Sequence, residues 1–214
     1  MFITLEGIEG SGKTTQVSNI VKFLNKNGHD CVTTREPGGT EIGRQIRAIL
    51  LNPENKNLDP LAELLLYAAD RSQHLKSIIK PELSAGKTVI CDRFFDATTV
   101  YQGFARGLDM KVIEQLHRIV LDSIKPDLTL LFDLPVEVGL NRALHCLDNG
   151  SRAIQECRFE KETLAFHEKV RSGYLTLAKQ EPDRFQIIQA SNDETQVFQE
   201  IVTALTHNMK MRNP

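Results

Sequence analysis

The chain has 214 residues, of which 41% are hydrophobic and 25% are charged, and its formal net charge is −2. This composition is typical of a globular domain and excludes a disordered, collagenous or coiled-coil chain. A charge close to zero also argues against general nucleic-acid binding, which needs clustered Lys and Arg. The N-terminal segment turns polar after Leu5, unlike a signal peptide, and no run approaches the ~18 apolar residues of a membrane helix. We therefore expect a cytoplasmic protein that binds neither nucleic acid nor membrane.

Short apolar runs, which predict strands, alternate with longer helical patterns along the chain. The predicted strands are residues 2–5, 31–34, 88–90, 128–134 and 185–188. The first helix has Val17, Ile20 and Leu24 at helical spacing and ends at the turn residues Asn27 and Gly28. Later helices are predicted at residues 40–51, 60–80, 96–102, 109–124, 137–147, 159–179 and 194–207.

Five short strands separated by helices predict an α/β fold, namely a five-stranded parallel sheet with helices on both faces. The sequence shows no linker or internal repeat, so we expect a single domain over residues 1–214. Residues 147–157 (LDNGSRAIQEC) lack apolar periodicity. They are expected to form either a surface loop or a short mobile lid.

The helix at residues 109–124 carries an apolar stripe. Asp109 precedes it as an N-cap, and Asp59 with Pro60 plays the same part for the helix at 60–80. The stripe consists of Val112, Ile113, Leu116, Ile119 and Val120. We expect it to face the core, and a surface on which two copies pair is the alternative.

The four cysteines contain no C-x-x-C pair, so a zinc ribbon is not expected. Cys31 and Cys91 lie in or beside apolar runs and are predicted to be small core residues. Cys146 and Cys157 flank a polar stretch. We expect reduced thiols there, with a disulfide as the alternative.

Residues 7–14 match the pattern G-x-x-x-x-G-K-[ST] between a predicted strand and a predicted helix, which is the context that this P-loop motif requires. Glycines let the backbone wrap around phosphate, and N–H groups at the helix N-terminus attract its charge. Lys13 is expected to reach the β- and γ-phosphates, and Thr14 to supply a hydroxyl to Mg²⁺. The predicted nucleoside triphosphate site is Gly7, Ile8, Glu9, Gly10, Ser11, Gly12, Lys13 and Thr14. The N-K-x-D sequence with which GTPases recognise guanine is absent.

Two further clusters contain an arginine. Arg35 comes just before a Pro-Gly-Gly turn at the end of the second strand, where α/β proteins bind ligands, although a plain loop is the alternative. Tyr67 and Arg71 lie four residues apart on one predicted helix and hence on one face. Such a pair can stack on a base and hydrogen-bond its edge. The alternative is an ordinary aromatic beside a surface pair of Asp70 and Arg71.

The last cluster follows the third strand. Asp92 at the strand end is suited to holding Mg²⁺, and the adjacent Arg93 to holding an acceptor phosphate. Thr98 and Tyr101 lie three apart on the next predicted helix, followed by Gln102. These three side chains are expected to line a pocket for a sugar and a base.

Together these residues resemble the bacterial thymidylate kinases, which are P-loop nucleoside monophosphate kinases, over nearly the whole chain. The matching segments are FITLEGIEGSGKTT at 2–15, TREPGGT at 34–40, YAADR at 67–71, DRF at 92–94, YQG at 101–103, PDLT at 126–129 and RFEKE at 158–162. The resemblance implies transfer of the γ-phosphoryl group of ATP to dTMP, giving dTDP, with Mg²⁺ and in a homodimer.

The resemblance also implies roles for individual side chains. Arg35 and Arg93 would hold the dTMP phosphate, and Glu9 would approach the 3′-hydroxyl. The base contacts would come from Tyr67 by stacking, Arg71 at the carbonyl edge, and Thr98 and Gln102. Tyr101 would crowd the sugar 2′ position and so favour a deoxynucleotide. Arg47 is either a further acceptor-site arginine or a packing residue.

In this family a catalytic arginine comes from the P-loop or from the lid. The variable P-loop positions here contain no Arg, so the chain resembles the lid-arginine type. Arg152 is the expected catalytic residue beside Lys13 and Arg93, Arg158 is the alternative, and Arg142 is expected near the ATP base or phosphates. Two departures from the family pattern are Cys157, where Asp is usual, and Gln189 in place of the Asp of I-D-A.

Two other functions remain open at this stage. One is a kinase for another nucleotide or for a nucleoside, although Arg35 and Arg93 favour a phosphorylated acceptor. The other is a nucleotide-dependent switch that has lost catalysis, against which Lys13, Thr14 and Asp92 argue.

Overall fold

The computed structural model describes residues 1–148 and 154–212. Its sheet has five strands, all parallel, in the order β2-β3-β1-β4-β5. The strands are β1 Phe2–Glu6, β2 Cys31–Arg35, β3 Thr88–Asp92, β4 Leu128–Asp133 and β5 Phe185–Gln189. The predicted five-stranded parallel α/β fold is therefore confirmed.

Helices connect consecutive strands, as parallel pairing requires. They are α1 Lys13–Lys26, α2 Glu41–Leu51, α3 Pro60–His74, α4 Lys80–Ser84, α5 Phe95–Thr98, α6 Met110–Leu121, α7 Val136–Asp148, α8 Leu164–Gln180 and α9 Glu194–Arg212. Asp59 caps α3 by accepting from the Leu61 and Ala62 N–H groups, and Asp109 caps α6 by accepting from the Lys111 N–H. Both predicted N-caps are thus present.

Apolar side chains cover both faces of the sheet, because successive residues of a strand point to opposite sides. Phe2 packs with Val89 and Cys91 in one hydrophobic cluster. The next residue, Ile3, packs in the other cluster with Ile90. Helices must therefore lie on each face, and the carboxyl ends of the strands are left to form a site between them.

Three predicted helices differ from the structure by more than a few end residues. The helix predicted at 159–179 begins only at Leu164, because Thr163 caps it by accepting from the Phe166 N–H. Phe159 instead turns inward and packs edge-on against Tyr101, with ring centroids 5.3 Å apart. The other two helices contain π-helical turns, at Leu75–Ile79 between α3 and α4 and at Thr99–Ala105 after α5.

The apolar stripe of α6 does not face the core as expected. Ile113 is buried, but Val112 is 43% exposed and Ile119 is 78% exposed. Cys91 is buried as predicted, whereas Cys31 is only partly buried, and all four cysteines are free thiols. Within the described residues, no helix has the length and apolar character needed to span a membrane.

Candidate active site

The loop after β1 passes extremely close to neighbouring backbone. Gly7 and Gly10 have φ angles of 138° and 66°, a region that favours glycine. A Cβ on Gly10 would lie 2.0 Å from the Gly139 carbonyl oxygen, so no side chain fits there. Gly12 precedes α1 without any side-chain cap, which leaves the N–H groups of the first turn for an anion.

The Lys13 ammonium lies inside this loop. Its Nζ donates to the carbonyl oxygens of Gly7 and Ile8 and to the Ser11 hydroxyl, at 2.9–3.0 Å. Burial, with the nearby Arg93 adding to it, lowers the pKa of Lys13 to about 8. A bound phosphate would raise that pKa again, because a nearby anion favours the charged amine.

Thr14 and Asp92 meet beside the loop because β1 and β3 are neighbours, with Leu5 opposite Asp92. The Thr14 hydroxyl donates to Asp92 Oδ2 over 3.3 Å. A hydroxyl and a carboxylate are oxygen ligands of the kind that Mg²⁺ takes together with phosphate and water. These two residues therefore fit the predicted Mg²⁺ position. The described part of the chain contains no cluster of three or more His, Cys, Asp or Glu that could hold a metal by itself.

A cleft of about 910 Å³ opens at the carboxyl ends of the strands. It brings together most of the predicted site residues, namely Glu9, Gly10, Ser11, Gly12, Lys13, Thr14, Arg35, Arg47, Tyr67, Arg71, Asp92, Arg93, Thr98, Tyr101, Gln102 and Arg142. Gly7 supplies a carbonyl behind the loop, and Ile8 is a buried core residue. Arg152 lies outside the described residues.

Arg93 and Glu9 form the centre of the cleft. Arg93 Nη2 donates to Glu9 Oε1 over 3.1 Å, and the Tyr101 hydroxyl donates to the same oxygen over 2.6 Å. His167 Nδ1 lies 3.2 Å from Glu9 Oε2. Burial raises the pKa of Glu9, but Arg93, His167 and Tyr101 outweigh it and hold that pKa well below its usual range. Arg93 itself has φ 68°, a strained backbone for a residue with a side chain.

Arg71 lines the cleft and is held in place by three hydrogen bonds. Its Nε donates to Glu36 Oε2 over 2.8 Å. Its Nη2 donates to the Phe94 carbonyl and to the Thr98 hydroxyl. Within the described residues these bonds use Nε and Nη2, which leaves Nη1 for a ligand in the cleft that Tyr67 and Gln102 also line.

Arg47 makes packing contacts at the edge of the cleft, and its role at the acceptor site stays a prediction. It lines the cleft, and it also joins α2 to the 3₁₀ turn Ile154–Glu156 through two hydrogen bonds to the Glu156 carboxylate, at 3.0 and 2.8 Å. Its Nη1 donates to the Pro37 carbonyl. The side chain therefore connects the Pro-Gly-Gly turn to the exit of the predicted lid.

Arg142 lines the cleft from helix α7. Its Nη1 donates to the Ala190 carbonyl over 2.9 Å. The cleft is also lined by three residues that were not predicted from the sequence, Asn192, Asp193 and Val197. They follow β5, so the rule that ligands bind at the carboxyl ends of parallel strands was the signal that could have found them.

The structure does not bring Arg158 to the P-loop. Arg158 is buried, its Nη2 donates to Glu63 Oε2 over 2.6 Å, and its Nε donates to the Leu50 carbonyl. A guanidinium that is paired with a buried carboxylate is costly to withdraw. Glu63 was also missed, although it lies one helical turn before Tyr67 on α3.

The chain is similar to known proteins in both sequence and structure. The thymidylate kinase family model matches residues 5–201. The thymidylate kinase of Desulfosudis oleivorans is 53% identical over all of both chains, and that of Desulforapulum autotrophicum is 56% identical over 98% of this chain and 92% of its own. The crystal structure of thymidylate kinase from Ehrlichia chaffeensis superposes with a TM-score of 0.74 at 36% identity, covering 96% of this chain and 98% of that one.

The family model covers most of the chain, and the relatives align over nearly their full length. The P-loop, the paired Thr14 and Asp92, and the arginine-lined cleft are the structural features expected of a nucleoside monophosphate kinase. The chain belongs to the thymidylate kinase family.

Proposed function

We propose that the chain transfers the γ-phosphoryl group of ATP to dTMP, giving dTDP, with Mg²⁺. The observation that carries this proposal is that the same cleft contains the P-loop and a second, cationic pocket around Arg93. One wall of that cleft suits ATP, and the other suits a small phosphorylated acceptor.

Transfer between two polyanions depends on neutralising their charge and holding them in line. Lys13 supplies positive charge at the β- and γ-phosphates, and Arg93 with Arg35 supplies it at the acceptor phosphate. The acceptor phosphate oxygen attacks the γ-phosphorus directly, so no side chain forms a covalent intermediate. Arg152 is proposed as the catalytic lid arginine.

Mg²⁺ would be held by Thr14 and, directly or through water, by Asp92. When bound, the ion neutralises phosphate charge and orients the triphosphate. The 3.3 Å contact between the two side chains supports this assignment.

The acceptor pocket suits a deoxynucleotide with a carbonyl-bearing base. Tyr67 would stack on the base, Arg71 would donate to its carbonyl oxygen, and Gln102 would contact its edge. The Tyr101 ring is fixed by its bond to Glu9 and by Arg93, whose guanidinium carbon lies 5.0 Å from the ring centroid. A 2′-hydroxyl would have to displace that fixed ring.

We also propose that the chain forms a homodimer and that it acts in the cytoplasm. The apolar side chains of Val112 and Ile119 lie exposed on α6, which supports pairing of two copies through this helix. We place the enzyme in the cytoplasm, with nucleotides as its partners.

A coupled assay of ADP release with dTMP, dUMP, dGMP or thymidine as acceptor tests the activity. We expect dTMP to stimulate ADP release above basal ATP hydrolysis and to give the highest kcat/KM of the four. Stimulation by thymidine but not by dTMP would indicate a nucleoside kinase. If no acceptor stimulates ADP release, the kinase proposal is wrong and a nucleotide-dependent switch is favoured.

A further inference from the structure

Glu63 is a buried carboxylate just outside the cleft, with only 1% of its surface exposed. Its Oε1 accepts from Gln102 Nε2 over 2.7 Å and from Arg106 Nε over 3.4 Å. Its Oε2 accepts from Arg158 Nη2 over 2.6 Å. Of its three partners, Gln102 is the one that lines the described part of the cleft, so Glu63 can influence a ligand through Gln102.

This environment fixes the direction in which the Gln102 amide points. The Glu63 carboxylate forms ion pairs with two guanidinium groups, and both of its oxygens accept hydrogen bonds. It therefore selects the NH₂ end of the amide, whereas an amide with neutral neighbours can turn either end towards them. With Nε2 committed to Glu63, the carbonyl oxygen is the group that Gln102 offers to the cleft.

The two polar groups at this wall then form a defined pattern, an acceptor from Gln102 beside a donor from Arg71. Thymine presents the complement, since its N3–H donates and its O4 accepts. Cytosine presents the reverse, because its N3 accepts and its amino group donates. A cytosine in this pocket would face two mismatched, desolvated contacts.

We propose that Glu63 is a positioning residue that sets the polarity of the Gln102 amide and thereby makes the pocket select thymine over cytosine. The inference rests on the proposed dTMP kinase function. It also gives a role to Arg158 and Arg106, which both form ion pairs with Glu63. Base selection is thereby linked to Arg158, at the exit of the predicted lid.

The test compares kcat/KM for dTMP with kcat/KM for dCMP in the full chain. Glu63→Gln gives residue 63 an amide that can pair with either end of Gln102. We expect the dTMP-to-dCMP ratio to fall about 10- to 100-fold, mainly through a higher KM for dTMP, while KM for ATP changes less than about twofold.

A matched control removes a carboxylate from the same arginine without touching Gln102. Glu162 pairs with Arg106 Nη2 over 2.6 Å. Glu162→Gln therefore makes the same chemical change at a carboxylate that contacts Arg106 instead of Gln102. We expect the substrate ratio of this variant to stay within about twofold of wild type. An equal fall in Glu162→Gln and Glu63→Gln would mean that Arg106, not the Gln102 amide, controls selectivity, and would overturn the proposal.

Glu63→Asp is the second variant, in case Glu63→Gln does not fold. It keeps the negative charge near both arginines and withdraws the carboxylate from Gln102 by one methylene. We expect the ratio to fall at least about threefold with a nearly unchanged melting temperature. An unchanged ratio in a folded Glu63 variant would show that Glu63 does not orient Gln102. A wild-type enzyme that does not prefer dTMP would instead refute the proposed function.

Discussion

The Tyr101 hydroxyl is expected to stabilise the fold, separately from the role of its ring in excluding a 2′-hydroxyl. In Tyr101→Phe, the ring keeps its edge-on contact with Phe159, and only the bond to Glu9 is lost. Glu9 is 7% exposed, so the carboxylate cannot replace this 2.6 Å bond with bulk water. A bond to a buried charged group contributes about 1.5–3 kcal/mol to the free energy of unfolding.

For a chain of this length, 1 kcal/mol corresponds to roughly 2–4 °C in melting temperature. Tyr101→Phe is therefore expected to melt about 3–12 °C below wild type by circular dichroism or differential scanning fluorimetry. Its preference for dTMP over the ribonucleotide should be retained, because the packing of the ring on Phe159 and Arg93 does not need the hydroxyl.

Tyr67→Phe is the matched control. Tyr67 lines the same cleft, and within the described residues its hydroxyl makes no hydrogen bond. It should melt within about 2 °C of wild type. Equal melting temperatures for the two variants would refute the claim that the Tyr101–Glu9 bond is a strong, charge-assisted contact.

The remaining predictions concern catalysis and pH. Arg152→Ala should lower kcat by about 10³-fold or more, whereas Arg158→Ala should alter dTMP selectivity with a much smaller loss of kcat; the reverse pattern in steady-state kinetics would exchange their roles. Because the pKa of Lys13 is lowered to about 8, kcat/KM for ATP should fall as pH rises above about 8, and a profile that is flat to pH 10 would contradict this. Burial, with the nearby Asp96 adding to it, raises the pKa of Glu6 from 4.5 to about 7. The folded chain therefore keeps a proton on Glu6 up to about pH 7, whereas the unfolded chain loses it near pH 4.5. The free energy of unfolding should decrease as pH rises from about 4.5 to about 7. Glu6→Gln, which can still bond Tyr174, should flatten that slope in urea unfolding curves.

The sheet and the P-loop were predictable because their signals are local. Each strand is a short apolar run, and the Gly-rich loop from Gly7 to Thr14 lies directly between β1 and α1. The N-caps Asp59 and Asp109 were visible for the same reason. Such elements depend on residues within one or two turns of each other.

Contacts between distant segments were not predictable from pattern. Arg158 was a candidate for the phosphate site, but its charge partner Glu63 lies 95 residues earlier in the chain. Phe159 continued an apparent helical pattern, yet its ring turns to Tyr101. Ile119 fits a core stripe by spacing, yet it is 78% exposed because no described element covers it. In each case tertiary packing outweighed the local signal.

Direct transfer of a phosphoryl group from ATP to dTMP within this cleft is the step on which the proposed function depends. The most direct test is to incubate the full chain with [γ-³²P]ATP, Mg²⁺ and dTMP and to identify the labelled product by chromatography and mass. We expect label in the β-phosphate of dTDP, with little label released as inorganic phosphate. Label that appears only in inorganic phosphate, with dTMP unchanged, would contradict this expectation.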